Sequence, residues 1–477
     1  MNRAERRDLV VLGGGAGGLV VASVAAQLGL QVTLVEKRDR LGGDCLHFGC
    51  VPSKTLIRVG KVAALMRRGG DFGLPSLTPS VDFARVRAHL RAVIDQIQVH
   101  DDPERFRAYG CEVLFQPGSF VGPTAVRVGG RVIAAKRFVI ATGAHPFVPP
   151  IAGLSEAGYL TNEEVFALEQ LPARLVVIGA GVIALELAQA FARLGSEVHV
   201  LMRGERLLPQ EDPEASEGLQ ALLQAEGVQF HPSTSTERIS VQAGVRHVHC
   251  RSPRRGEFSL EAEQILVATG RRPSVGGLGL EAAGVAYTAN GVSVDARLRT
   301  SRRHIYACGD VCGPYNFTHA AEYQAGVVIS NAVFRVPKRV DYRVMPGVVF
   351  TDPELASVGL TEAAARDQGL APTVLRFEFK QVDRALTESE ARGFVKLVTR
   401  KGRVLGATIL GPAAGELIHE LALAMRVGAT LADISSTVHA YPTLAQIHRR
   451  VVNTHFGAQL FSPRARTLVK WINRLLP

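Results

Sequence analysis

Two thiols stand close together in Gly42-Gly43-Asp44-Cys45-Leu46-His47-Phe48-Gly49-Cys50-Val51-Pro52-Ser53-Lys54. Cysteines separated by four residues can close a small disulfide ring. Pro52 and the residues after it suit a helix start, which puts Cys50 near a helix N-terminus. The positive end of that helix dipole would stabilise a thiolate. Lys54 is one turn further on and shares a face with Cys50. The residue types alone leave three readings open: a redox disulfide, a metal pair, or two buried thiols. His47 is the only other ligand nearby, too few for a closed metal site, so no metal-ligating set is expected.

A second chemistry is written in glycines. The apolar run Leu9–Leu12 leads into Gly13-Gly14-Gly15-Ala16-Gly17-Gly18, an Ala-rich helical stretch, and a strand at 31–35 ended by Glu36. In such a βαβ unit, Gly13 permits the tight turn and Gly15 lets the backbone approach a pyrophosphate. Gly18 allows close helix–strand packing. Glu36 follows Gly18 by 18 residues, where an acid can bond a ribose hydroxyl. The same plan returns at 175–203, with Gly179, Gly181 and Ala184 in the three glycine places. Two copies mean two nucleotide sites or an old duplication. Gly13 to Glu36 is 23 residues, and Gly179 plus 23 is Met202, so the ribose-binding acid is missing from the second copy. Arg203 and Arg206 stand there instead, and a cation suits a 2′-phosphate, favouring NADPH over NADH.

These motifs need a large α/β scaffold. The chain has 477 residues, room for about three domains. Its 55 basic and 44 acidic residues give +11, spread along the chain with no block of five or six like charges. That pattern suits anionic ligands such as phosphates rather than nucleic acid. Six cysteines are too sparse for a disulfide scaffold. The N-terminus reads as no signal peptide, and no long apolar stretch reads as a membrane span. The expected location is the reducing cytoplasm. Pro and Gly cluster at 143–153 and 269–279, which read as crossings between domains. From about 343 the pattern turns α+β, with strands at VVF, FVKLV and GATIL and helices at 413–427 and 443–456. The stretch 461–477 is basic, with Leu468, Ile472 and Leu475 at helical spacing. It reads as a surface helix packed on the third unit; peripheral contact with an anionic membrane is the lesser reading.

GG-x-C-x4-C-x-PSK beside an N-terminal glycine loop resembles the class I pyridine nucleotide–disulfide oxidoreductases, flavoproteins that include dihydrolipoamide dehydrogenase, glutathione reductase and mercuric reductase. The resemblance covers about residues 8–456. Ala141-Thr142-Gly143 and Ala268-Thr269-Gly270-Arg271-Arg272-Pro273 are similar to the family's two domain-crossing signatures. Ala307-Cys308-Gly309-Asp310-Val311 resembles its second FAD motif, whose Asp bonds the ribityl chain. Phe317-Thr318-His319 would start the helix aimed at the flavin pyrimidine. Glu186 matches the acid that pairs with the active-site lysine, here Lys54. The resemblance implies a redox-active Cys45–Cys50 disulfide, with Cys50 nearest the flavin and Cys45 meeting the acceptor. It implies two dinucleotide-binding domains, for FAD (1–150 and 271–342, with Gly43, Thr142, Gly143, Arg271, Asp310 and Thr318 among its cofactor residues) and for NAD(P) (151–270). A dimerisation domain (343–460) then makes a homodimer.

Within the family, segments 184–196, 349–362 and 383–397 are most similar to mercuric reductase. That branch carries a cysteine pair near its C-terminus, whereas the last cysteine here is Cys312. Disulfide reductases carry a His–Glu pair in the dimerisation domain. Tyr441 and Gln446 occupy those places, and a tyrosine, with a pKa of about 10, shuttles protons poorly near neutrality. His439 lies two residues from Tyr441 and on an extended segment would point the same way, so it is a candidate substitute. The function expected is transfer of electrons from NAD(P)H through FAD and the Cys45–Cys50 pair to a disulfide, metal ion or quinone. The alternatives are a mercuric reductase lacking the terminal cysteine pair and a redox-sensing flavoprotein with little turnover. Cys308 and Cys312, like Cys111 and Cys250, are expected to be ordinary thiols.

Overall fold

The computed structural model describes residues 5–475; Leu476 and Pro477, the end of the basic tail, lie outside them. The chain divides into two compact units. The first comprises Met1–Gly60, Ser80–Leu201 and Ser235–Val340; the second comprises Lys61–Pro79, Met202–Thr234 and Asp341–Pro477.

In the first unit, β1 (Glu5–Leu12) runs parallel between β2 (Val32–Glu36) and β6 (Arg131–Ile140). β3 (Cys111–Phe115) extends the sheet beyond β2, and β4 (Gly118–Gly122) and β5 (Ala125–Val128) form an antiparallel hairpin beside the first half of β6. The strand Ile305–Ala307 pairs parallel with the second half of β6. Leu9 to Leu12 are all buried, as a strand covered on both faces requires. Each such side chain contributes about 1.5–3 kcal/mol relative to exposure. Helix α1 (Ala16–Gln27) and the helix Thr318–Ala332 share one core with this sheet through Val21, Ala22, Ala25, Ala325 and Val328.

A second parallel sheet holds Glu197–Leu201, Arg174–Ile178 and Gln264–Val267 in that order, with the helix Val182–Leu194 after its central strand. The two expected crossings meet. Ala144–Pro146 pairs antiparallel with Arg271–Pro273, and each crossing threonine bonds the opposite strap. Thr142 Oγ1 donates to Ser274 O at 2.8 Å, and Thr269 Oγ1 to Phe147 O at 2.7 Å.

The second unit carries a five-stranded antiparallel sheet in the order Pro346–Val349, Glu354–Gly359, Arg403–Gly411, Phe394–Arg400, Thr373–Glu378. Helices Ala414–Val427 and Gln446–Leu460 share its core through Ile418, Leu421, Ile447 and Val451. Two of these strands, Glu354–Gly359 and Thr373–Glu378, were not expected, nor was the helix Leu431–Ser436. The two strands alternate imperfectly and hold polar residues that the fold covers. The last helix starts at Gln446 rather than 443, because Thr443 turns back to Ala440 O. The tail does form a helix, Pro463–Leu475, but it buries none of its residues in this chain. The expected packing of that helix against the third unit is therefore not seen. Among the described residues, no helix is long and apolar enough to cross a membrane.

Candidate active site

The glycine loop and the cysteine turn are built against each other. Cys45 lies in a short helix, α2 (Gly43–His47), and Cys50 is the first residue of an 18-residue helix, α3 (Cys50–Arg67). A Cβ on Gly43 would come 2.7 Å from Gly15 Cα, so glycine at position 43 lets the two turns touch. His47 does not join the thiols: its Nε2 contacts Leu41 O at 2.8 Å and the ring is buried.

Both cysteines are free thiols and half-buried. Cys50 Sγ lies 3.3 Å from Thr318 Oγ1, at the start of the helix Thr318–Ala332. The hydrogen bond from Cys45 holds the Cys50 thiol below its ordinary pKa against the opposing effect of burial; the Thr318 hydroxyl and the Lys54 charge add to the lowering. The same Cys45–Cys50 contact, followed by burial, pushes Cys45 well above the ordinary thiol value. Cys50 is thus the group that ionises, and Cys45 the one that keeps its proton.

Lys54 Nζ lies 2.8 Å from Glu186 Oε2. The glutamate side chain is 3% exposed and the lysine 34%. Glu186 comes from the helix of the second glycine loop, 132 residues away in sequence.

A further group encloses the turn. Arg271, 10% exposed, reaches Asp44 Oδ2 at 3.2 Å and Asp310 Oδ2 at 3.8 Å. It also donates to Asn162 Oδ1 at 3.3 Å and to Ala144 O at 2.8 Å. Asn162 donates in turn to Phe48 O at 2.9 Å and Asp44 Oδ1 at 3.3 Å. Burial raises the Asp310 carboxyl above its ordinary value, and Arg271 offsets part of that rise. Asp44 and Asn162 were not singled out from sequence. Asp44 sits inside the cysteine motif and could have been, but nothing near Asn162 marks it.

The two glycine loops divide their labour alike. A Cβ on Gly13 would meet Ala141 O at 2.2 Å, and one on Gly179 would meet Ala268 O at the same distance. Each also has positive φ, so packing and backbone both demand glycine there. Gly18 would strike Gly13 O at 1.9 Å, whereas Ala184 is tolerated in the equivalent place. Gly15 and Gly181 are different: among the described residues only Gly43 Cα at 3.7 Å approaches a Cβ on Gly15, and none lies within 4 Å of one on Gly181. Protein packing does not require these two glycines, but the close approach of a phosphate would. Neither following helix has a side-chain N-cap, which leaves its first amides available to an anion. Glu36 is buried at the end of β2, accepting from Gly14 N at 2.7 Å and Arg38 N at 2.8 Å.

Arg203 is exposed after the strand Glu197–Leu201, following buried Met202. Arg206 donates to Pro209 O at 3.1 Å. In the second unit, Tyr441 is 69% exposed. His439 does not point with it. Its side chain is 6% exposed and faces Glu420, because the carboxylate there offsets the cost of burying the imidazole. The parallel orientation expected of His439 and Tyr441 is therefore corrected. Cys111, Cys250 and Cys308 are buried and Cys312 half-buried; burial raises Cys111 to about 11 and both Cys250 and Cys308 to about 12.

The family described as pyridine nucleotide-disulphide oxidoreductase matches residues 7–325, and the dimerisation domain of the same family matches residues 345–451. A mercuric reductase of Bacillus cereus is 36% identical over 442 residues, covering 92% of this chain and 70% of that protein. A dihydrolipoyl dehydrogenase of Bacillus subtilis (strain 168) is 36% identical over 462 residues, covering 95% and 97%. Among solved structures, the HOCl-induced flavoprotein disulfide reductase RclA from Escherichia coli is 27% identical with a TM-score of 0.84. That match covers 94% of this chain and 99% of that one.

Proposed function

The chain belongs to the pyridine nucleotide-disulphide oxidoreductases, and from that premise we propose that it moves electron pairs from NADPH through FAD to the Cys45–Cys50 couple and on to an external acceptor. It is an FAD- and pyridine-nucleotide-dependent oxidoreductase. The flavin, when bound, accepts hydride from the pyridine nucleotide and passes the electron pair on.

The observation that carries the reading is the asymmetry of the two thiols. Two electrons and one proton open a Cys45–Cys50 disulfide to a Cys45 thiol and a Cys50 thiolate. The Cys45 hydrogen bond, Thr318 and Lys54 all favour the charge on Cys50. Cys45 keeps the proton and, once it yields it, attacks the acceptor. Lys54, held by Glu186, keeps a positive charge beside the thiolate.

The open face at Gly15 and the uncapped start of α1 suit the FAD pyrophosphate, with Gly13 and Gly18 shaping the turn. Glu36 would bind the adenosine ribose and Asp310 the ribityl chain. Gly43, Thr142, Gly143, Arg271 and Thr318 would line the rest. Gly179 and Gly181 suit the second dinucleotide. Met202 in place of an acid, followed by Arg203 and Arg206, supports NADPH as the physiological reductant. The dimerisation domain supports a homodimer, with Tyr441 supplied to the partner's dithiol.

An anaerobic NADPH titration followed by a panel of Hg²⁺, lipoamide, small disulfides and quinones tests the proposal. The expected result is turnover with at least one acceptor, which Cys45→Ser abolishes while the flavin remains reducible. Full turnover in Cys45→Ser with every acceptor would overturn the role given to the dithiol. A reducible flavin without turnover on any acceptor would leave the redox-sensing alternative.

A further inference from the structure

One polar cluster in the second unit takes no part in the dithiol chemistry. Glu420 lies on the helix Ala414–Val427, and His448 on the helix Gln446–Leu460. His439 lies in the segment that joins that second helix to Leu431–Ser436. His439 Nε2 lies 2.9 Å from Glu420 Oε1 and 3.2 Å from Oε2; His448 Nδ1 lies 2.7 Å from Oε2. One ligand atom from each of the three residues falls within 4.8 Å of the others.

The protons of this cluster are constrained. His439 Nδ1 lies 3.1 Å from Thr437 O, a carbonyl that can only accept, so Nδ1 carries hydrogen. In neutral His439 the lone pair of Nε2 would then face the carboxylate. The same carboxylate also takes the His448 contact, through Oε2. A lone pair against an anion is repulsive unless a positive centre lies between them. That centre is either a second proton on His439 or a metal ion. A histidine held at Nδ1 by a backbone carbonyl, with Nε2 turned inward, has the orientation of a metal ligand. Behind His448, Nε2 is buried with no hydrogen-bond partner among the described residues, while Nδ1 faces the carboxylate, the position of a ligand atom. Glu420 is 34% exposed, which gives an ion a path and a solvent ligand for its fourth position.

We propose that Glu420, His439 and His448 form a binding site for a divalent first-row transition ion of the Zn²⁺ type, which clamps the Tyr441 segment to two helices. Two imidazoles and a carboxylate suit such ions. Bonds of about 2.0–2.2 Å in tetrahedral geometry place ligand atoms about 3.3 Å apart. The imidazole–carboxylate contacts, 2.7–3.2 Å, therefore need to open by at most about 0.6 Å. On binding, the Nε2 proton of His439 passes to solvent, and His448 carries its proton on Nε2 instead of Nδ1. Tyr441 lies two residues beyond His439, so the ion would fix where the exposed phenol is presented.

The test uses the full-length, flavin-loaded chain with Cys45→Ser and Cys50→Ser, which removes the competing thiols. After chelator treatment it is titrated calorimetrically with Zn²⁺. The expected result is one ion per chain, proton release, a higher Tm, and slower proteolysis at 437–445. Removing even an outer-shell partner weakens metal sites 10–100-fold, so Glu420→Gln and His439→Gln should each weaken binding by about 100-fold or more. His448 is fully buried, so the two more accessible positions carry the test. Absence of saturable binding, or binding in both variants as tight as in the parent, would overturn the site.

Discussion

Lys54 and Glu186 meet at 2.8 Å with unequal burial, 34% against 3% side-chain exposure. That asymmetry predicts unequal losses. Glu186→Gln leaves a lysine that water can partly solvate, and should cost about 1 kcal/mol. Lys54→Met takes the cation from a buried carboxylate. Breaking fully buried pairs costs about 3–5 kcal/mol, so a loss of about 2–3 kcal/mol is expected for this partly exposed pair. Urea midpoints of the two variants would give the order. A larger loss in Glu186→Gln would show that the lysine, not the glutamate, depends on the pair.

The thiols should titrate separately in the reduced protein. Cys50 ionises below the ordinary thiol range because Cys45 donates to it, with Thr318 and Lys54 assisting. Its depressed pKa adds stability above the unfolded thiol pKa of about 8.5, and that stability is lost as pH falls through the folded value. Thiolate ultraviolet absorbance followed against pH should show an early step that Cys50→Ser removes. In Cys45→Ser the step should move upward, since the leading hydrogen bond is altered, yet Lys54 should keep it below the ordinary value. An early step that survives in Cys50→Ser would reverse the assignment.

The parts of this architecture that were legible in the sequence are those with a local period. The strand–glycine–helix units show because turn, helix and strand lie within thirty residues and each imposes its own residue types. The crossings show through their prolines and glycines. Arg271 shows only through its motif, and its links to Asp44 and Asn162 are invisible because they span more than a hundred residues without a pattern. Glu420, His439 and His448 are scattered in the same way. Two-residue spacing on an extended segment makes His439 a candidate to point with Tyr441, whereas it faces Glu420. The helix carrying Glu420, which turns it inward, lies 19 residues away.

Arg203 is exposed in the loop after Met202, where a 2′-phosphate is expected. A charge-assisted hydrogen bond is worth about 1.5–3 kcal/mol, so Arg203→Ala should raise the KM for NADPH at least about tenfold. The KM for NADH should hardly change, because NADH offers no phosphate to lose. Steady-state kinetics with both nucleotides checks this; equal losses for both would place the residue's role elsewhere.

The helix Pro463–Leu475 buries nothing, although Leu468, Trp471, Ile472 and Leu475 lie along it. A chain ending at Leu460 should therefore keep its stability within about 0.5 kcal/mol, the usual range for surface changes. Sedimentation of the truncated chain should give the same assembly as the full one. A lower Tm, or dissociation on truncation, would show that the helix packs on a second copy.

Arg271 holds two carboxylates at once, and pH should expose which one depends on it. Burial raises the folded pKa of Asp310 above its unfolded value, and Arg271 opposes that rise. A raised carboxyl contributes stability below the unfolded pKa, about 3.9, and that contribution is lost as pH rises through the folded value. Arg271→Gln removes the opposing charge, so the folded pKa climbs further and the loss extends to higher pH. Arg271→Lys keeps the charge but loses the fork that reaches Asn162, Ala144 and Asp44 together. Its cost should be nearly independent of pH. Urea midpoints measured from acid to neutral pH should therefore fall more steeply with rising pH in the glutamine variant than in the lysine variant. Parallel curves would show that Arg271 acts through its geometry alone and that Asp310 takes its ionisation from other groups.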